Sequence, residues 1–334
     1  MIRDVIALAK EHWPVWFLGE LPEELAGSIL GGGSSHTDRF IVFVHRGRAE
    51  PQVAMKVAST ALDADRLRNE YTALSRVRPL LDAELQKTIP EPLGVYDSGD
   101  FTVLATGVLR GKGVLVPALA GSGSVPARLV MRQLFRQTFE WSRNLAHATR
   151  RVTPSGPSEL AQLVEGFIAT LPHEPSLRNV RAFQKAVSES RMTWFAAWQH
   201  RDLAVGNVLR YRGNLRVVDW EHASPESEPW YDIASAPGRM CHLALTQLGL
   251  SSMKDAALRV LPTDTWHGRI LSNEMDSVWA YDVPLGWAVA LSAMSVAKRH
   301  HDEGRQEPSP WGEFAIALLD DDELRSRASW LVPS

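Results

Sequence analysis

The sequence has almost no cysteine: Cys241 is the only one among 334 residues. A disulfide within the chain needs two cysteines and a cysteine metal cluster needs several, so the composition excludes both. A chain that does without disulfides suits a reducing compartment. We therefore expect a cytoplasmic protein.

The sequence also lacks an excess of positive charge and a long apolar run. A net charge of −3 does not suit a nucleic-acid-binding protein, which neutralises phosphates with many lysines and arginines. The first ten residues include Asp4 and Lys10 and lack the apolar core of a signal peptide. The apolar stretch 283–297 is shorter than the roughly 20 residues that cross a bilayer. We expect no nucleic-acid or membrane partner and interpret this stretch as a buried helix.

What the sequence does contain is a clear pattern of strands and a helix in its first third. Residues 39–45 and 52–57 are rich in β-branched and apolar side chains, which is typical of strands. Apolar residues recur every three or four positions between residues 63 and 77, a spacing that predicts a helix. Pro79 is expected to end it.

The pattern changes after this first region. Glycine and proline are frequent between residues 107 and 126 and indicate an irregular connector, whereas the chain is mostly helical in pattern from residue 128 onward. We therefore predict a first lobe at residues 1–105, a hinge and connector at 106–127, and a second lobe at 128–334.

The strongest chemical signal is a polar string in the second half, His200-Arg201-Asp202-Leu203-Ala204-Val205-Gly206-Asn207. Phosphoryl transfer from a nucleotide needs a residue that orients the attacking hydroxyl and a metal that neutralises the phosphates. Asp202 is the predicted base. Asn207 and Asp219, which ends a short apolar strand at 216–218, offer the hard oxygen ligands that magnesium prefers. The alternative is that Asp202 and Asn207 are only polar residues of a turn, without a role in chemistry.

Two charged residues in the first lobe fit the same chemistry. Lys56 lies within the apolar strand 52–57, where an ammonium group needs a partner or water, and it is the predicted phosphate clamp. Glu70, on the helix that follows, would hold Lys56 through a salt bridge. The alternatives are an outward-facing lysine on an alternating strand and a solvated glutamate.

A glycine-rich turn precedes Lys56, at Gly31, Gly32, Gly33, Ser34 and Ser35. Backbone amides in such a turn can bind phosphate oxygens, and we predict that these five residues contact the nucleotide. The turn is not a Walker loop, because no Gly-Lys-Ser/Thr follows it. A flexible hairpin is the alternative interpretation.

Taken in order, these residues resemble the aminoglycoside phosphotransferase and choline kinase-like branch of the protein-kinase-like fold. The resemblance implies a bilobal α+β fold, with an N-terminal antiparallel sheet and one main helix, and a larger, mostly helical C-terminal lobe. It implies ATP and Mg²⁺ as cofactors. It further implies that His200 braces the catalytic loop, that Asp232 anchors it, and that Glu221 touches metal or water.

The sequence departs from this family at several positions of the loop. The family often has Gly where Arg201 stands and His-Pro where Ala204 and Val205 stand. Protein serine/threonine kinases place a lysine two residues after the base, and Ala204 cannot replace it. Metal, Lys56 or another group must then stabilise the γ-phosphate.

The short distance between Asp219 and Asp232, thirteen residues, bears on the substrate. It leaves no room for the activation segment on which a peptide substrate docks, so a small hydroxylated molecule is favoured: an aminoglycoside or other antibiotic, a sugar or an amino alcohol. The alternatives are a non-catalytic nucleotide-binding scaffold and a peptide kinase. Six tryptophans could line a substrate pocket, although core packing is favoured for each: Trp194, Trp198, Trp230, Trp266, Trp279 and Trp287.

Overall fold

The computed structural model describes residues 1–30, 39–47, 49–114, 123–151, 154–171, 177–305 and 309–331. Its α-helices are α1 Ile2–Phe17, α2 Ala61–Val77, α3 Ala83–Gln86, α4 Val125–Ala148, α5 Pro157–Ile168, α6 Leu177–Glu189, α7 Tyr231–Ala234, α8 Ala236–Leu248, α9 Met253–Val260, α10 Trp266–Val278, α11 Leu285–Asp302, α12 Pro310–Asp320 and α13 Asp322–Arg327. Short 3₁₀ turns lie at Arg78–Leu80, Val205–Asn207 and Ser329–Leu331.

The strands of the described residues lie mostly in the first half of the chain. They are β1 Leu25–Leu30, β2 Arg39–Arg46, β3 Val53–Ala58, β4 Pro92–Asp97, β5 Thr102–Gly107, β6 Lys112–Gly113, β7 Pro154–Ser155, β8 Trp194–Phe195, β9 Ala197–Gln199, β10 Val208–Tyr211, β11 Asn214–Val217 and β12 Ser224–Ser227.

The chain divides into two compact units that do not follow chain order. The first contains residues 1–114 together with 200–224, and the second contains residues 115–199 and 225–334. The segment with the polar string therefore belongs to the same unit as the N-terminal strands. The division into lobes at 1–105, 106–127 and 128–334 stays a prediction.

The first unit is built on an antiparallel sheet in the order β1-β2-β3-β5-β4. Successive side chains of β3 point to opposite faces of the sheet. Val53, Met55 and Val57 form one apolar cluster with residues of α1, whereas the opposite face of β3 and β5 packs against α2. The predicted N-terminal antiparallel sheet with a main helix is confirmed.

Helix α1 was not anticipated from the sequence. It buries Val5, Ala9 and Trp13 against the sheet, and these positions, four residues apart, lie on one side of a helix. The amphipathic spacing was therefore present in the sequence.

A second, three-stranded sheet in the order β11-β10-β6 completes the first unit. The hairpin of β10 and β11 turns at Arg212 and Gly213, both with positive φ, as a tight hairpin turn requires. Val208 pairs with Val217 in this hairpin. The residue before β10 and the residues after β11 consequently lie at the same end of the sheet.

The second unit is mostly helical, as predicted. Its core joins residues of α4 to α12, and α11 is buried continuously from Ala288 to Ala297. This confirms the buried helix expected at 283–297. In the part of the chain that the structure describes, no helix has the length and apolar character needed to cross a membrane.

Candidate functional site

Lys56 lies at the centre of the candidate site. Its Nζ is 2.9 and 2.7 Å from the two carboxylate oxygens of Glu70 and 2.6 Å from Asp219 Oδ1. The ion pair with Glu70 that the sequence predicted is thus formed. The contact with Asp219 joins residues that are 163 positions apart.

Local periodicity explains why Lys56 and Glu70 face each other. Lys56 alternates with Met55 and Val57 along β3 and so points to the face of the sheet that carries α2. Glu70 follows Leu67 by three positions, on the buried stripe of α2, and is 1% exposed. The alternative of a solvated glutamate is therefore wrong, and Lys56 does not point outward.

The charges of these three residues depend on one another. Burial disfavours the Lys56 ammonium, but Glu70 and Asp219 outweigh it and hold the pKa of Lys56 above its ordinary value. Burial likewise opposes ionisation of Asp219, yet Lys56 lowers the pKa of that carboxyl to about 2. For Glu70, burial dominates and raises the pKa.

Asp202 and Asn207 are joined directly. The Asn207 side-chain Nδ2 donates to the Asp202 backbone oxygen at 2.8 Å and to Asp202 Oδ2 at 2.9 Å. The 3₁₀ turn Val205–Asn207 brings the two residues together across five positions. Because the amide nitrogen of Asn207 makes both contacts, its amide oxygen remains as the atom suited to a metal.

The buried ring of His200 connects this loop to the strand end that precedes Asp219. His200 Nε2 lies 3.0 Å from the backbone oxygen of Val218, and the Asp202 amide donates to His200 Nδ1 at 3.3 Å. A carbonyl only accepts and an amide N–H only donates, so both contacts require the neutral tautomer protonated on Nε2. The ring also stands edge-on to Trp220.

Two residues of this region have strained backbone. Arg201 and Asp219 have φ values of 62° and 70°, in the left-handed region that residues with a Cβ adopt at a cost. Such strain persists where the surrounding structure holds it, often at functional positions. Here it occurs directly before Asp202 and at Asp219 itself.

Sequence reasoning missed Arg39, which begins β2. Its guanidinium contacts the carboxylate of Glu221, and its Nε lies 3.2 Å from Asp63 Oδ1. Burial opposes the charge on Arg39, but Glu221 outweighs it and raises the pKa of Arg39. A single arginine at the start of a strand carries no motif, so only the fold identifies its partners.

The roles of the other predicted site residues stay predictions. Gly31, Gly32, Gly33, Ser34 and Ser35 lie outside the described residues. Asp232 lies in the second unit, is 2% exposed, and donates its backbone N–H to Gln199 Oε1 at 3.1 Å. Its role as a loop anchor stays a prediction.

The six tryptophans considered for a pocket are buried or partly buried. Trp194, Trp198 and Trp230 are buried, and Trp194 stands edge-on to Trp230 at 5.4 Å. The other three pack, partly buried, against the core of the second unit: Trp266, Trp279 and Trp287. The core interpretation is confirmed for the three buried tryptophans, whereas the other three contact the core and remain partly exposed.

Comparison with known proteins defines the fold. No family model and no curated protein matches the chain. A crystal structure of aminoglycoside phosphotransferase APH(4)-Ia is similar over 98% of this chain and 99% of its own, with a TM-score of 0.57 and 14% identity.

Two ternary complexes are similar as well. A thermostable mutant of APH(4)-Ia with AMP-PNP and hygromycin B aligns over 96% of this chain and 98% of its own, with TM-score 0.56 and 16% identity. The streptomycin–ATP–APH(2'')-IIa complex aligns over 98% of both chains, with TM-score 0.50 and 13% identity. The chain therefore has the kinase-like fold of the aminoglycoside phosphotransferases, as the sequence resemblance implied.

Proposed function

We propose that this protein transfers the γ-phosphoryl group of ATP, with magnesium, to a hydroxyl of a small molecule. The observation that supports the proposal most is the bridge from Lys56 to both Glu70 and Asp219. It joins a cation suited to phosphate with a carboxylate suited to metal, and His200 connects the segment before Asp219 to the loop that carries Asp202, a carboxylate that can accept a proton.

The residues of the first unit fit a magnesium ion. Asp219 supplies a carboxylate and Asn207 an amide oxygen, and the pairing of β10 with β11 brings both to one end of the hairpin. Magnesium in nucleotide sites is commonly bound by one or two such groups together with phosphate oxygens and water. When bound, it would neutralise charge on the phosphates.

Each side chain then has a defined task. Lys56, held by Glu70, binds phosphate oxygens, and Asp202 orients the acceptor hydroxyl and takes its proton. His200 keeps the two loop segments together through its bonds to Val218 and Asp202. Gly31 to Ser35 remain the proposed phosphate-binding turn.

The small-molecule acceptor rests on two points. The short segment between Asp219 and Asp232 lacks the length of a peptide-docking activation segment. Two of the solved structures of similar fold are complexes with hygromycin B and streptomycin. Aminoglycosides are therefore the first pool to test, followed by sugars and amino alcohols. A cytoplasmic location remains a proposal based on the single cysteine.

The test is ATP consumption with magnesium against pooled aminoglycosides, sugars and amino alcohols, using Asp202→Asn and the matched control Asp65→Asn. Asp65 is exposed on α2 and pairs only with Arg68 among the described contacts. We expect Asp202→Asn to lower turnover by about 10²–10⁴-fold, the usual contribution of a general base. Asp65→Asn should behave as wild type.

The outcomes separate the alternatives. Turnover that survives in Asp202→Asn would show that the base assignment is wrong. Nucleotide binding without transfer to any pool would favour the scaffold, and phosphate on a peptide rather than a small molecule would favour the peptide kinase.

A further inference from the structure

Glu221 is held at three points, although it lies only two residues after the proposed metal ligand Asp219. Its Oε2 contacts Arg39 Nη1, its Oε1 lies 3.3 Å from His222 Nε2, and its backbone oxygen accepts a hydrogen bond from Asn69 Nδ2. The side chain is 7% exposed. Both carboxylate oxygens are thus committed to protein cations or donors.

Arg39 in turn is anchored on the other side. Its Nε lies 3.2 Å from Asp63 Oδ1, and Asp63 is fixed by the N-cap residue Thr60, whose hydroxyl donates to Asp63 Oδ2 at 2.9 Å. Arg39 pairs opposite Ala58, the last residue of β3. One guanidinium therefore joins the start of β2, the first turn of α2 and the segment after Asp219.

This arrangement accounts for the strained backbone at Asp219. A residue with φ of 70° keeps that conformation only if its surroundings determine it. The side chain of Asp219 contacts Lys56, and two residues later the chain is fastened to α2 through Asn69 and to β2 through Arg39. The two attachments leave little freedom for the peptide between them.

We infer that Arg39 and Glu221 form a latch that positions Asp219, and that Glu221 acts through this ion pair rather than as a metal ligand. The latch itself is independent of the proposed function. The effect of the latch on binding of magnesium and nucleotide rests on the proposed function. Arg39 and Glu221 are positioning residues, because neither is assigned to touch the reacting atoms.

The planar guanidinium is essential to the latch. It presents Nε to Asp63 and Nη1 to Glu221 at the same time, which the single ammonium of a lysine cannot reproduce with the same geometry. Arg39→Lys keeps the charge and should nevertheless lose most of the coupling.

The first test uses the thermal unfolding midpoint of the full chain in a double-mutant cycle of Arg39→Gln and Glu221→Gln. We expect each single variant to lower the midpoint, and the double variant to lie no lower than the worse single variant. Arg68→Gln is the matched control, since Arg68 lies on α2 in exposed ion pairs with Asp65 and Asp97. Additive shifts of Arg39→Gln and Glu221→Gln would overturn the latch.

The second test measures positioning without any nucleotide. Hydrogen exchange of the peptide that covers residues 218–223 should become faster in Arg39→Gln and in Arg39→Lys, while exchange in β3 stays unchanged. Unchanged exchange in residues 218–223, or equal acceleration throughout the first unit, would overturn the positioning role.

The third test separates a latch from a metal ligand. The measured quantity is the magnesium concentration needed for binding of a non-hydrolysable ATP analogue. If Arg39 and Glu221 form a latch, Arg39→Gln and Glu221→Gln each raise this concentration by about tenfold, and the double variant requires no higher concentration than the single variants. With Glu221 as a ligand, Arg39→Gln leaves the requirement near wild type and Glu221→Gln raises it in either background. Failure of the wild type to bind the analogue would contradict the proposed function, and the first two tests would still decide the latch.

Discussion

His200 Nε2 donates to the backbone oxygen of Val218 at 3.0 Å, and this contact joins the loop that carries Asp202 to the segment after β11 that carries Asp219. The same ring accepts from the Asp202 amide through Nδ1. One imidazole thereby contacts both the loop of the proposed base and the segment of the proposed metal ligand. The brace that the family resemblance implied for His200 thus has two specific contacts to test.

Replacing His200 by phenylalanine should separate these contacts from the packing of the ring. The Phe ring can keep the edge-on contact with Trp220. The Val218 oxygen and the Asp202 amide, however, lose their partner, at a cost of about 1–3 kcal/mol for a buried unsatisfied group. We expect a lower thermal midpoint and a lower turnover. His242→Phe, which keeps its stacking on Trp311, is the control. Wild-type values for His200→Phe would contradict the brace.

Lys56→Met should make the folded state depend more strongly on pH. Burial raises the pKa of Glu70 and Lys56 opposes that rise, so loss of Lys56 lets the Glu70 pKa increase further. A group whose folded pKa exceeds its unfolded pKa stabilises the folded state below the unfolded pKa, and this contribution is lost as pH rises through the folded pKa. Lys56→Met should therefore lose more stability at about pH 8 than at about pH 5, with a cost near 3 kcal/mol for a broken buried pair.

Denaturant titrations at the two pH values measure this difference. The double variant Lys56→Met with Glu70→Gln should regain part of the loss at the higher pH, since the Glu70 carboxylate is then no longer left unpaired. Lys87→Met serves as the control, because Lys87 is exposed and pairs with Glu84 on the surface. A pH-independent loss in Lys56→Met would show that the charge of Glu70 is not responsible.

In the wild-type protein, the lowered pKa of Asp219 predicts a loss of folding stability in strong acid. Its pKa is lowered from 3.8 to about 2, with burial opposing and Lys56 dominating the shift. A group whose pKa is lower in the folded state than in the unfolded state stabilises the protein at pH values above the unfolded pKa. This stabilisation is lost as pH falls through the folded pKa. As pH is lowered from roughly 4 to 2, the thermal unfolding midpoint of wild type should therefore decrease by more than the midpoint of Asp219→Asn. Parallel curves for the two proteins would refute this assignment.

Two glycines of the second unit should respond oppositely to alanine. A Cβ on Gly268, in α10, would lie 2.3 Å from the backbone oxygens of Leu261 and Pro262, which cannot move aside cheaply. A Cβ on Gly166, in α5, would meet only the flexible end of Lys298. We expect Gly268→Ala to lower stability by about 1–3 kcal/mol through overpacking. Gly166→Ala should gain up to about 1 kcal/mol in helix propensity. The urea midpoints of the two variants measure the difference, and equal effects would contradict the close packing around Gly268.

Cys241 offers a probe of unfolding in the second unit. It is fully buried in α8, and burial raises the pKa of its thiol, so the reactive thiolate is both hidden and disfavoured. An aromatic disulfide reagent should label the native protein at a rate limited by opening of the structure, and label the unfolded protein at once. Rapid stoichiometric labelling of native protein would show that α8 is not packed as described. Cys241→Ala is the reagent blank.

Lys56 has one partner that local sequence rules predict and one that they do not. Its partner Glu70 was predictable, because strand alternation and helical spacing are local rules and the helix follows the strand directly. The contact with Asp219 was not, since no local rule relates residues 163 positions apart. The motif suggested that both serve one site, and only the fold shows that Lys56 Nζ bridges the two carboxylates.

Arg39 and α1 illustrate two different reasons for a missed prediction. For α1, the spacing of Val5, Ala9 and Trp13 is visible in the sequence, because residues four positions apart lie on one side of a helix. For Arg39 there was no pattern to interpret. Its partners Asp63 and Glu221 come from a helix and a distant loop, and neither is related to it by strand or helix periodicity.

The sequence by itself determined the elements whose information is local: the alternation of β3, the stripe of α2, the buried α11, and the order and spacing of Asp202, Asn207 and Asp219. Tertiary structure alone decided that residues 200–224 pack with the N-terminal strands, that His200 bridges Asp202 and Val218, and that Glu221 is bound by Arg39. The physical reason is that periodicity reports which face of an element is buried, whereas the partner of a buried charge depends on distant segments that meet only in the folded chain.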